Sequence, residues 1–373
     1  MPYRPKDIYR GRRKFRVPLS ILLFVLTFLL VGSVGMFFFL QQYMVYDADG
    51  ATLQLPFGQE EEEQSQEQAP DLPTPEPTFE PVSVQVVWEN PDFEDVDMGT
   101  WDQLKPTQAL FIPMASVRST EALASAVSAA QSGGFSGAVL EMKNRTGQLA
   151  WPSNAETALA YLTAGSTDVT ATIEALHQAG KTVAAQISCF TDSLLLQHNW
   201  SFALRYADGS VCQNEDGSYW LDPYNQTVRT YLTDLALELA AMGFDEVILA
   251  DLIHPVSEQG FSYAEEPVTG TDPVVAVCQM GRRIAEALKD SDTALSVRIS
   301  GDSLRNSQSA QTGQDIGIFW RIFARLYCPT YGEILSSDKE LAVEKMNGGD
   351  ADTRFVPIMS AIPEEGTRSY LIG

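Results

Sequence analysis

From about residue 105 onward, short apolar runs alternate with stretches whose apolar residues recur at helical spacing. The apolar runs are ALFIPM (109–114), GAVLEMK (137–143), TVAAQIS (182–188), VILA (247–250), ALSVRIS (294–300), ARLYCP (324–329) and RFVPIMS (354–360). The stretches between them include 119–131, 168–180, 225–243 and 273–289, and some begin with Asp or end with Gly, as helices do. Nearly continuous apolar strands that alternate with helices predict a parallel sheet covered on both faces.

The number of these units favours a closed barrel over an open sheet. Roughly 265 residues of strand-helix units fit an α/β fold of the (β/α)8 TIM-like barrel type. No GxGxxG follows the first strand and no GK[ST] occurs in a later turn, so we expect no nucleotide cofactor. Only residues 361–373 follow the last predicted strand. We therefore expect either an imperfectly closed barrel or an edge covered by an N-terminal segment such as 82–104.

The N-terminal part of the chain follows a different pattern. Residues 1–16 carry seven Lys or Arg and one Asp, and residues 17–40 carry no charge. At about 1.5 Å per residue this apolar stretch is long enough to cross a bilayer, and a poor cleavage site follows it. By the positive-inside rule we expect a cytoplasmic basic tail (1–16), a transmembrane helix (17–40) and an extracellular remainder. The predicted localisation is the cell membrane, with a single pass.

Residues 41–81 read as a tether. They contain no Lys or Arg, but they contain the run Glu60 to Glu63 and the proline-rich segment APDLPTPEPTFEP. Like charge and repeated proline predict an extended, disordered stalk, which leaves 82–373 as the barrel domain. The formal net charge is −24 although the first 16 residues are basic, so the rest is strongly acidic. Such a body would repel nucleic acid, which we exclude as a partner.

The four cysteines lie at Cys189, Cys212, Cys278 and Cys328 and form no CxxC pair. Outside the cell a disulfide is allowed, and Cys189 with Cys212 is then the favoured pair; four buried thiols are an equal alternative. No histidine cluster and no DxDxDG loop is present, so we expect neither a metal nor another cofactor.

Charged residues occur at the exits of five predicted strands. Active sites of parallel barrels lie at the carboxyl ends of their strands, so these residues are candidates for chemistry. The candidate catalytic residues are Asp251, Glu141, Asp302 and Glu333. The candidate substrate-binding residues are Lys143, Asp192, Trp220, Asp222, His254, Arg298 and Tyr331. Three alternatives stay open: Asp251 is a turn residue, Trp220 packs its loop onto the barrel, and Lys143 and Arg298 form ion pairs with neighbouring acids.

Four segments are distinctive enough to be compared with known protein families: GAVLEMKNRTGQLAW, ISCFTDSLLL, YWLDPYNQTVRTYLTDLALELAAMGFDEVILADLIHP and GQDIGIFWRIFARLYCPTYGE. Over roughly residues 105–360 the chain resembles a family of bacterial envelope proteins, glycoside-hydrolase-like and long known as a domain of unknown function. The resemblance implies a barrel related to the alpha-amylase-like glycosidases, with carbohydrate as ligand. Family elements DxKxxxG, FxD and WxDP are matched by Lys143 and Gly147, Phe190 and Asp192, and Trp220, Asp222 and Pro223, while Glu141 replaces the first Asp.

The departure from the family falls on the fourth strand, which in the family reads GFDEIxxDYxRFP. Without a gap, the family's Asp meets Ala250 and its Arg meets Ile253. A shift of one residue restores Asp251 and places His254 near the Arg. Such a shift reverses the facing of a strand residue, so a bulge is needed to bring Asp251 into the barrel mouth.

These observations favour a membrane-anchored extracellular O-glycosyl hydrolase acting on a cell-wall or environmental polysaccharide. In the two-carboxylate scheme, Asp251 would be nucleophile or base, and Glu141, Asp302 or Glu333 would be the acid. Lys143, Asp192 and Arg298 would bind hydroxyls or orient the carboxylates. The alternatives are a barrel that binds carbohydrate without turnover and a structural protein that serves envelope assembly.

Overall fold

The computed structural model describes residues 44–47, 50–53, 104–161, 164–264, 272–305, 309–346, 350–363 and 367–373. The chain divides into two units, Met1–Val86 and Val87–Gly373. In the first unit, Met44–Asp47 pairs antiparallel with Gly50–Leu53, within the predicted stalk. The predicted cytoplasmic tail (1–16) and transmembrane helix (17–40) lie outside the described residues, as does most of the stalk. No helix among the residues described here has the length and apolar character that a membrane crossing requires.

The second unit is a closed barrel of eight parallel strands, each paired with its neighbours in chain order. The strands are β1 (Gln108–Ile112), β2 (Gly137–Lys143), β3 (Thr182–Ser188), β4 (Glu246–Ala250), β5 (Ala294–Arg298), β6 (Leu326–Pro329), β7 (Phe355–Met359) and β8 (Tyr370–Ile372). β8 closes the barrel by pairing with both β7 and β1. The predicted (β/α)8 fold is therefore confirmed.

Helices cover the barrel between its strands. The main helices are α1 (Thr120–Ser132), α2 (Thr170–Gln178), α3 (Gln226–Ala241), α4 (Pro273–Leu288), α5 (Ile316–Ile322) and α6 (Leu335–Lys345). Shorter helical turns are Met114–Val117, Glu156–Ala160, Ser193–His198, Trp200–Phe202, Gly301–Arg305, Ser309–Thr312, Gly332–Ile334 and Ala351–Arg354. Polar side chains begin several of them: Ser119, Asn225, Asp272 and Asp315 each accept a hydrogen bond from a first-turn N–H, as helix caps do.

The strands are apolar throughout because both of their faces are buried. The barrel interior is filled by Ala109, Val139, Ala184, Ile248, Tyr327, Val356 and Leu371. The opposite faces of the strands, for example Leu140, Val247, Leu249 and Val297, pack in the large core that includes the helices. This alternation fixes which residues of each strand point inward.

The amino-terminal end of the barrel is closed by a buried ion pair. Arg325 Nη1 lies 2.8 Å from Glu246 Oε2, and Tyr327 Oη donates to Glu246 Oε1 at 3.1 Å. Arg325 Nη2 also donates to the Lys105 carbonyl at 2.8 Å. Burial raises the pKa of Tyr327 well above its ordinary value, so its hydroxyl remains a donor. This network connects the amino-terminal ends of β4 and β6 to the segment that precedes β1.

The eighth strand is where the sequence interpretation was wrong. The apolar pattern predicts 354–360 as the last strand and leaves the closure to an imperfect barrel or to a segment such as 82–104. Instead Tyr370–Ile372 completes the sheet, and 82–88 lies outside the described residues. A strand of three residues is too short to show periodicity, so only the geometry of closure identifies it.

The cysteines follow the second alternative. All four are described, and each is a free, buried thiol, so Cys189 and Cys212 do not form a disulfide here.

Candidate active site

The carboxyl ends of the strands form one face of the barrel, which carries the long loops after β3 and β4. The short strands Arg205–Tyr206 and Phe261–Ser262 pair antiparallel and join these two loops. Along β4, Ile248 points into the barrel, whereas Val247 and Leu249 pack in the outer core. By this alternation Ala250 points inward, and a residue 251 in extended conformation would point toward the helices.

Asp251 breaks the alternation through its backbone. Its φ is +50°, and it is the only non-glycine residue with positive φ in the part of the chain that the structure describes. Its Oδ2 accepts a hydrogen bond from Ser188 Oγ at 2.7 Å, and Ser188 ends β3 on the same face as the interior residue Ala184. The Asp251 side chain is 20 % exposed. The sequence analysis expected a β-bulge to turn the Asp251 side chain toward the barrel mouth. Instead, the left-handed backbone of Asp251 itself brings the carboxylate there.

Arg145 is the second partner of this carboxylate. Its Nε lies 3.3 Å from Asp251 Oδ1, and its Nη1 lies 2.9 Å from Asp216 Oδ2 in the loop after β3. The Arg145 side chain is 46 % exposed, so the pair contributes little to stability. It does place a guanidinium beside the second oxygen of Asp251. The sequence interpretation missed Arg145, because nothing in the run KNRTG distinguishes it from a turn residue.

Glu141 lies on β2, on the same face as the interior residue Val139. Its Oε2 accepts a hydrogen bond from the Met114 backbone N–H at 2.8 Å, which fixes one of its two oxygens. The side chain lines an open cleft of about 640 Å³, here called the β1–β2 cleft. The other lining residues are Pro113, Met114, Ala115, Arg118, Asn144 and Gln148. Glu141 is therefore a carboxylate on the surface of a cavity at the barrel mouth.

Lys143 and Asp192 form an ion pair behind the mouth. A register shift between Glu141 and Lys143 ends the regular pairing of β2 with β3. Lys143 Nζ then lies 3.0 Å from Asp192 Oδ2, and both side chains are 0 % exposed. Lys143 also donates to the Ser188 carbonyl at 2.9 Å, and Asp192 Oδ1 accepts from the Leu195 N–H at 2.8 Å. For Lys143, the structure therefore shows the alternative in which it forms an ion pair with a neighbouring acid. Neither Lys143 nor Asp192 exposes a surface that a sugar could contact.

Tyr331 and Glu333 lie in a second cavity, the β6–β7 cleft, of about 780 Å³. Its other lining residues include Thr330, Lys339, Ser360, Ile362 and Thr367. Tyr331 is 73 % exposed and Ile362 is 59 % exposed, so the cleft offers apolar surface to solvent. Glu333 is exposed as well, in the turn Gly332–Ile334. An aromatic face beside a carboxylate is suited to a sugar ring.

Arg298 and Asp302 occupy the exit of β5. Arg298 is half-buried and alternates with Leu295 and Val297, which belong to the outer core, so it lies on the interior face. No ion pair among the described residues involves Arg298, in contrast to Lys143. Asp302 is exposed in the turn Gly301–Arg305. Both residues are thus on the side of the barrel that carries Asp251.

Trp220, Asp222 and His254 are buried in the loop layer. Asp222 accepts hydrogen bonds from the Tyr224 and Ala264 N–H groups at 2.9 and 2.8 Å, which joins the loops after β3 and β4. His254 bonds the Tyr263 hydroxyl at 3.0 Å through Nε2, and burial lowers its pKa below the ordinary value. Trp220 is nearly inaccessible. Buried in this way, the three side chains pack the loops onto the barrel. For Trp220 this is the alternative to substrate binding that the sequence left open.

Other reactive groups at this face are few. Cys189 follows Ser188 but is fully buried, and burial raises the pKa of its thiol. Within the described ranges, no group of three or more His, Cys, Asp or Glu side chains could hold a metal ion. The mouth therefore presents carboxylates, guanidinium groups and hydroxyls.

The comparisons with known proteins bear on the family and the fold of this chain. The family described as "Putative glycosyl hydrolase domain" matches residues 109–321, more than half of the chain. The chain belongs to this family. The matched region runs from β1 to α5, so it contains Glu141, Asp251 and Arg298 but not the β6–β7 cleft. No curated protein matches the chain.

Three solved structures were found to be similar to this chain to different degrees. The glycoside hydrolase domain of PgaB (BpsB) from Bordetella bronchiseptica is 9 % identical, with a TM-score of 0.53 over 72 % of this chain and 94 % of that one. A hypothetical protein from Ruminiclostridium thermocellum ATCC 27405 is 23 % identical, with a TM-score of 0.45 over 50 % of this chain and 96 % of that one. Ega3 from Aspergillus fumigatus, solved in complex with galactosamine, is 11 % identical, with a TM-score of 0.44 over 74 % and 94 %. The first likeness shows a shared fold, and the family supplies the expected class of chemistry.

Proposed function

We propose that this protein is a membrane-anchored, extracellular glycoside hydrolase that cleaves a glycosidic bond of a cell-wall or environmental polysaccharide. The observation that carries the proposal is the left-handed backbone of Asp251, which brings a carboxylate to the mouth of a glycosyl-hydrolase-family barrel. Strained non-glycine residues cost free energy and are concentrated at functional sites. The anchoring and the extracellular location rest on residues 1–40, where a basic tail precedes an uncharged apolar stretch.

Asp251 is the proposed nucleophile or general base. Its two oxygens accept from a hydroxyl and a guanidinium, at 2.7 Å from Ser188 Oγ and 3.3 Å from Arg145 Nε. Charge-assisted contacts of this kind complement the anion and hold it in one orientation. The buried Lys143–Asp192 pair stands behind it, because Lys143 Nζ donates to the carbonyl of Ser188. Lys143 and Asp192 are thus positioning residues rather than sugar ligands.

Glu141 is the first candidate for the acid. The Met114 N–H occupies Oε2, which leaves Oε1 to carry the proton for the leaving oxygen. β2 and β4 are separated by β3 alone, so their backbones are about 10 Å apart and the inward side chains are closer. Glycosidases place their two carboxyl groups about 5–10 Å apart, and the proposal requires this separation of Glu141 and Asp251. Asp302 and Glu333 remain the alternative acids.

The first experiment measures turnover. Full-length protein, purified in detergent, is incubated with bacterial wall polysaccharides and plant polysaccharides, and reducing ends are counted. We expect Asp251→Asn to lower the rate at least about a hundredfold. The matched control is Asp216→Asn, since Asp216 contacts the same Arg145 from an exposed loop, and it should retain activity. Turnover that survives Asp251→Asn would remove Asp251 from the mechanism.

The second experiment identifies the acid. Glu141→Gln, Asp302→Asn and Glu333→Gln are compared on the polysaccharide and on nitrophenyl glycosides of its sugars. A leaving group that needs no proton bypasses general acid catalysis, so only the acid variant should lose activity on the polysaccharide while it keeps activity on the aryl glycoside. Equal losses on both substrates would show that the substituted residue has another role.

One contact favours a second candidate function, carbohydrate binding without turnover. Arg145 lies directly on Asp251 Oδ1, as a counter-ion would in a barrel that no longer cleaves its ligand. Glycan binding that is present in the absence of any reducing-end release, and that Asp251→Asn leaves unchanged, would support this function over hydrolysis.

A further inference from the structure

The β6–β7 cleft lies across the barrel mouth from the two carboxylates proposed to act on the substrate. The strands close in chain order, so β7 is four strands away from β3 in both directions. Glu141 lies near the end of β2 and Asp251 follows β4, so these two residues flank β3. Eight strands about 4.8 Å apart and tilted by about 36° enclose a barrel roughly 15 Å across. A single sugar ring held between Glu141 and Asp251 is therefore too short to reach the cleft.

The wall of the cleft that carries Tyr331 is anchored to the barrel by buried contacts. The Thr330 N–H donates to the Ile358 carbonyl at 3.0 Å, and Thr330 Oγ1 donates to Asp338 Oδ2 at 2.8 Å. The Asp338 side chain is fully buried, and it also accepts from Arg305 Nε at 2.8 Å and from Arg305 Nη2 at 2.6 Å. The backbone beside Tyr331 is thus held in place, which reduces the entropy that is lost when the exposed ring orders on a ligand.

The side chains of the cleft combine apolar surface with hydrogen-bonding groups. Tyr331 and Ile362 are exposed and supply the apolar part. Lys339 Nζ donates to Thr367 Oγ1 at 3.3 Å and forms no ion pair with a described residue, so two of its three N–H donors remain for a ligand. The hydroxyl groups of the cleft are those of Thr330, Ser336, Ser360 and Thr367. Such a mixture suits a sugar, which has apolar ring faces and hydroxyl groups around its edge.

Arg298 lies between the two sites. It ends β5, which pairs with β4 on one side and with β6 on the other. Its side chain is half-buried on the interior face of the barrel. A chain that runs from Asp251 to Tyr331 passes this guanidinium, whose N–H groups are suited to donate to hydroxyl oxygens.

We propose that the β6–β7 cleft is a distal subsite for a linear polysaccharide that crosses the barrel mouth from Glu141 and Asp251 to Tyr331. This inference rests on the proposed hydrolase function, and it adds that the substrate is a chain of several sugars rather than a short glycoside. Glu333 then belongs to the distal subsite and not to the catalytic pair. The family match ends at residue 321, so the family assignment does not include this subsite.

Calorimetric titration of the full-length Asp251→Asn variant tests the subsite without turnover. The probes are the disaccharides and hexasaccharides prepared from cellulose, chitin, xylan and mannan. We expect at least one hexasaccharide to bind about tenfold more tightly than its disaccharide, because only the longer chain reaches the cleft.

Substitutions at the cleft assign this gain to Tyr331. In the Asp251→Asn background, Tyr331→Ala should weaken binding of that hexasaccharide about fivefold through loss of ring stacking, whereas Tyr331→Phe should preserve it. The matched control is Leu237→Ala, which removes an exposed apolar side chain on α3 outside the cleft and should leave binding unchanged. Circular dichroism of each variant verifies that the barrel is folded.

Three results would each overturn the distal subsite. These are hexasaccharides that bind no more tightly than their disaccharides, equal effects of Tyr331→Ala and Leu237→Ala, and a Glu333→Gln variant that behaves as the acid variant in the aryl glycoside comparison. Failure of the hydrolase function gives a different result. Hexasaccharide binding that depends on Tyr331, without release of reducing ends by the wild type, would support the subsite in a barrel that binds carbohydrate but does not cleave it.

Discussion

Replacing Gly147 with alanine should destabilise the barrel mouth through one specific collision. Gly147 has φ +96°, a conformation that side chains rarely adopt. A Cβ added there would lie 1.8 Å from Asp192 Oδ1 and 2.4 Å from Asp192 Cγ. Asp192 has no free space to move into, because it is fully buried, paired with Lys143 and bonded to the Leu195 N–H. The substitution must therefore displace the carboxylate from its ion pair.

The magnitude has two parts. The left-handed backbone costs an alanine about 1–2 kcal/mol. Separating a buried ion pair adds about 3–5 kcal/mol, because a charge is left uncompensated. Gly147→Ala should thus lower the free energy of unfolding by about 4 kcal/mol or more. The matched control is Gly180→Ala, since Gly180 has φ +68° with nothing within 4 Å of its added Cβ, and it should show the backbone cost alone.

Urea unfolding of the full-length protein, followed by tryptophan fluorescence, measures both variants. The difference between them isolates the collision with Asp192. Equal losses for Gly147→Ala and Gly180→Ala would refute the reasoning, because they would mean that the mouth absorbs the methyl group without disturbing the ion pair.

Three further predictions concern the β6–β7 cleft, the amino-terminal end of the barrel and the loops after β3 and β4. Tyr331→Ala should raise KM about fivefold with kcat retained, because stacking of the ring contributes about 1 kcal/mol of substrate binding. Tyr331→Phe keeps the ring and should keep the wild-type KM. Steady-state kinetics in which both variants behave alike would contradict this prediction. Glu246→Gln should lower the free energy of unfolding by about 3 kcal/mol or more, because it leaves Arg325 buried without its counter-ion. Urea titrations that show a loss below about 1 kcal/mol would be inconsistent with the ion pair at 2.8 Å. Burial lowers the pKa of His254 from its ordinary 6.5, so the unfolded chain binds more protons just below pH 6.5 and the free energy of unfolding falls as the pH is lowered through that window. His254→Gln should flatten this dependence of stability on pH, whereas His198→Gln, which replaces an exposed histidine, should not. Identical pH dependences in the wild type and both variants would count against the prediction.

The order of strands and helices could be predicted from the sequence because it is written in local patterns. Seven of the eight strands coincide with apolar runs that the sequence shows, and caps such as Asn225 and Asp272 lie where the helices begin. β8 escaped because three residues carry no periodicity, and its identity depends on pairing with both β7 and β1. The roles within the candidate site were less accessible. A charged residue at a strand exit reads the same whether it is buried in a pair, as Lys143 is, or faces the mouth without an ion pair among the described residues, as Arg298 does.

The sequence by itself determined the barrel, its family and the strand exits at which chemistry can occur, because hydrophobic periodicity and chain order are properties of neighbouring residues. Only the tertiary structure decided which of the charged residues meet. The approach of Arg145 and Ser188 to Asp251 joins three separate strand exits, and it depends on one left-handed φ angle that no local pattern announces.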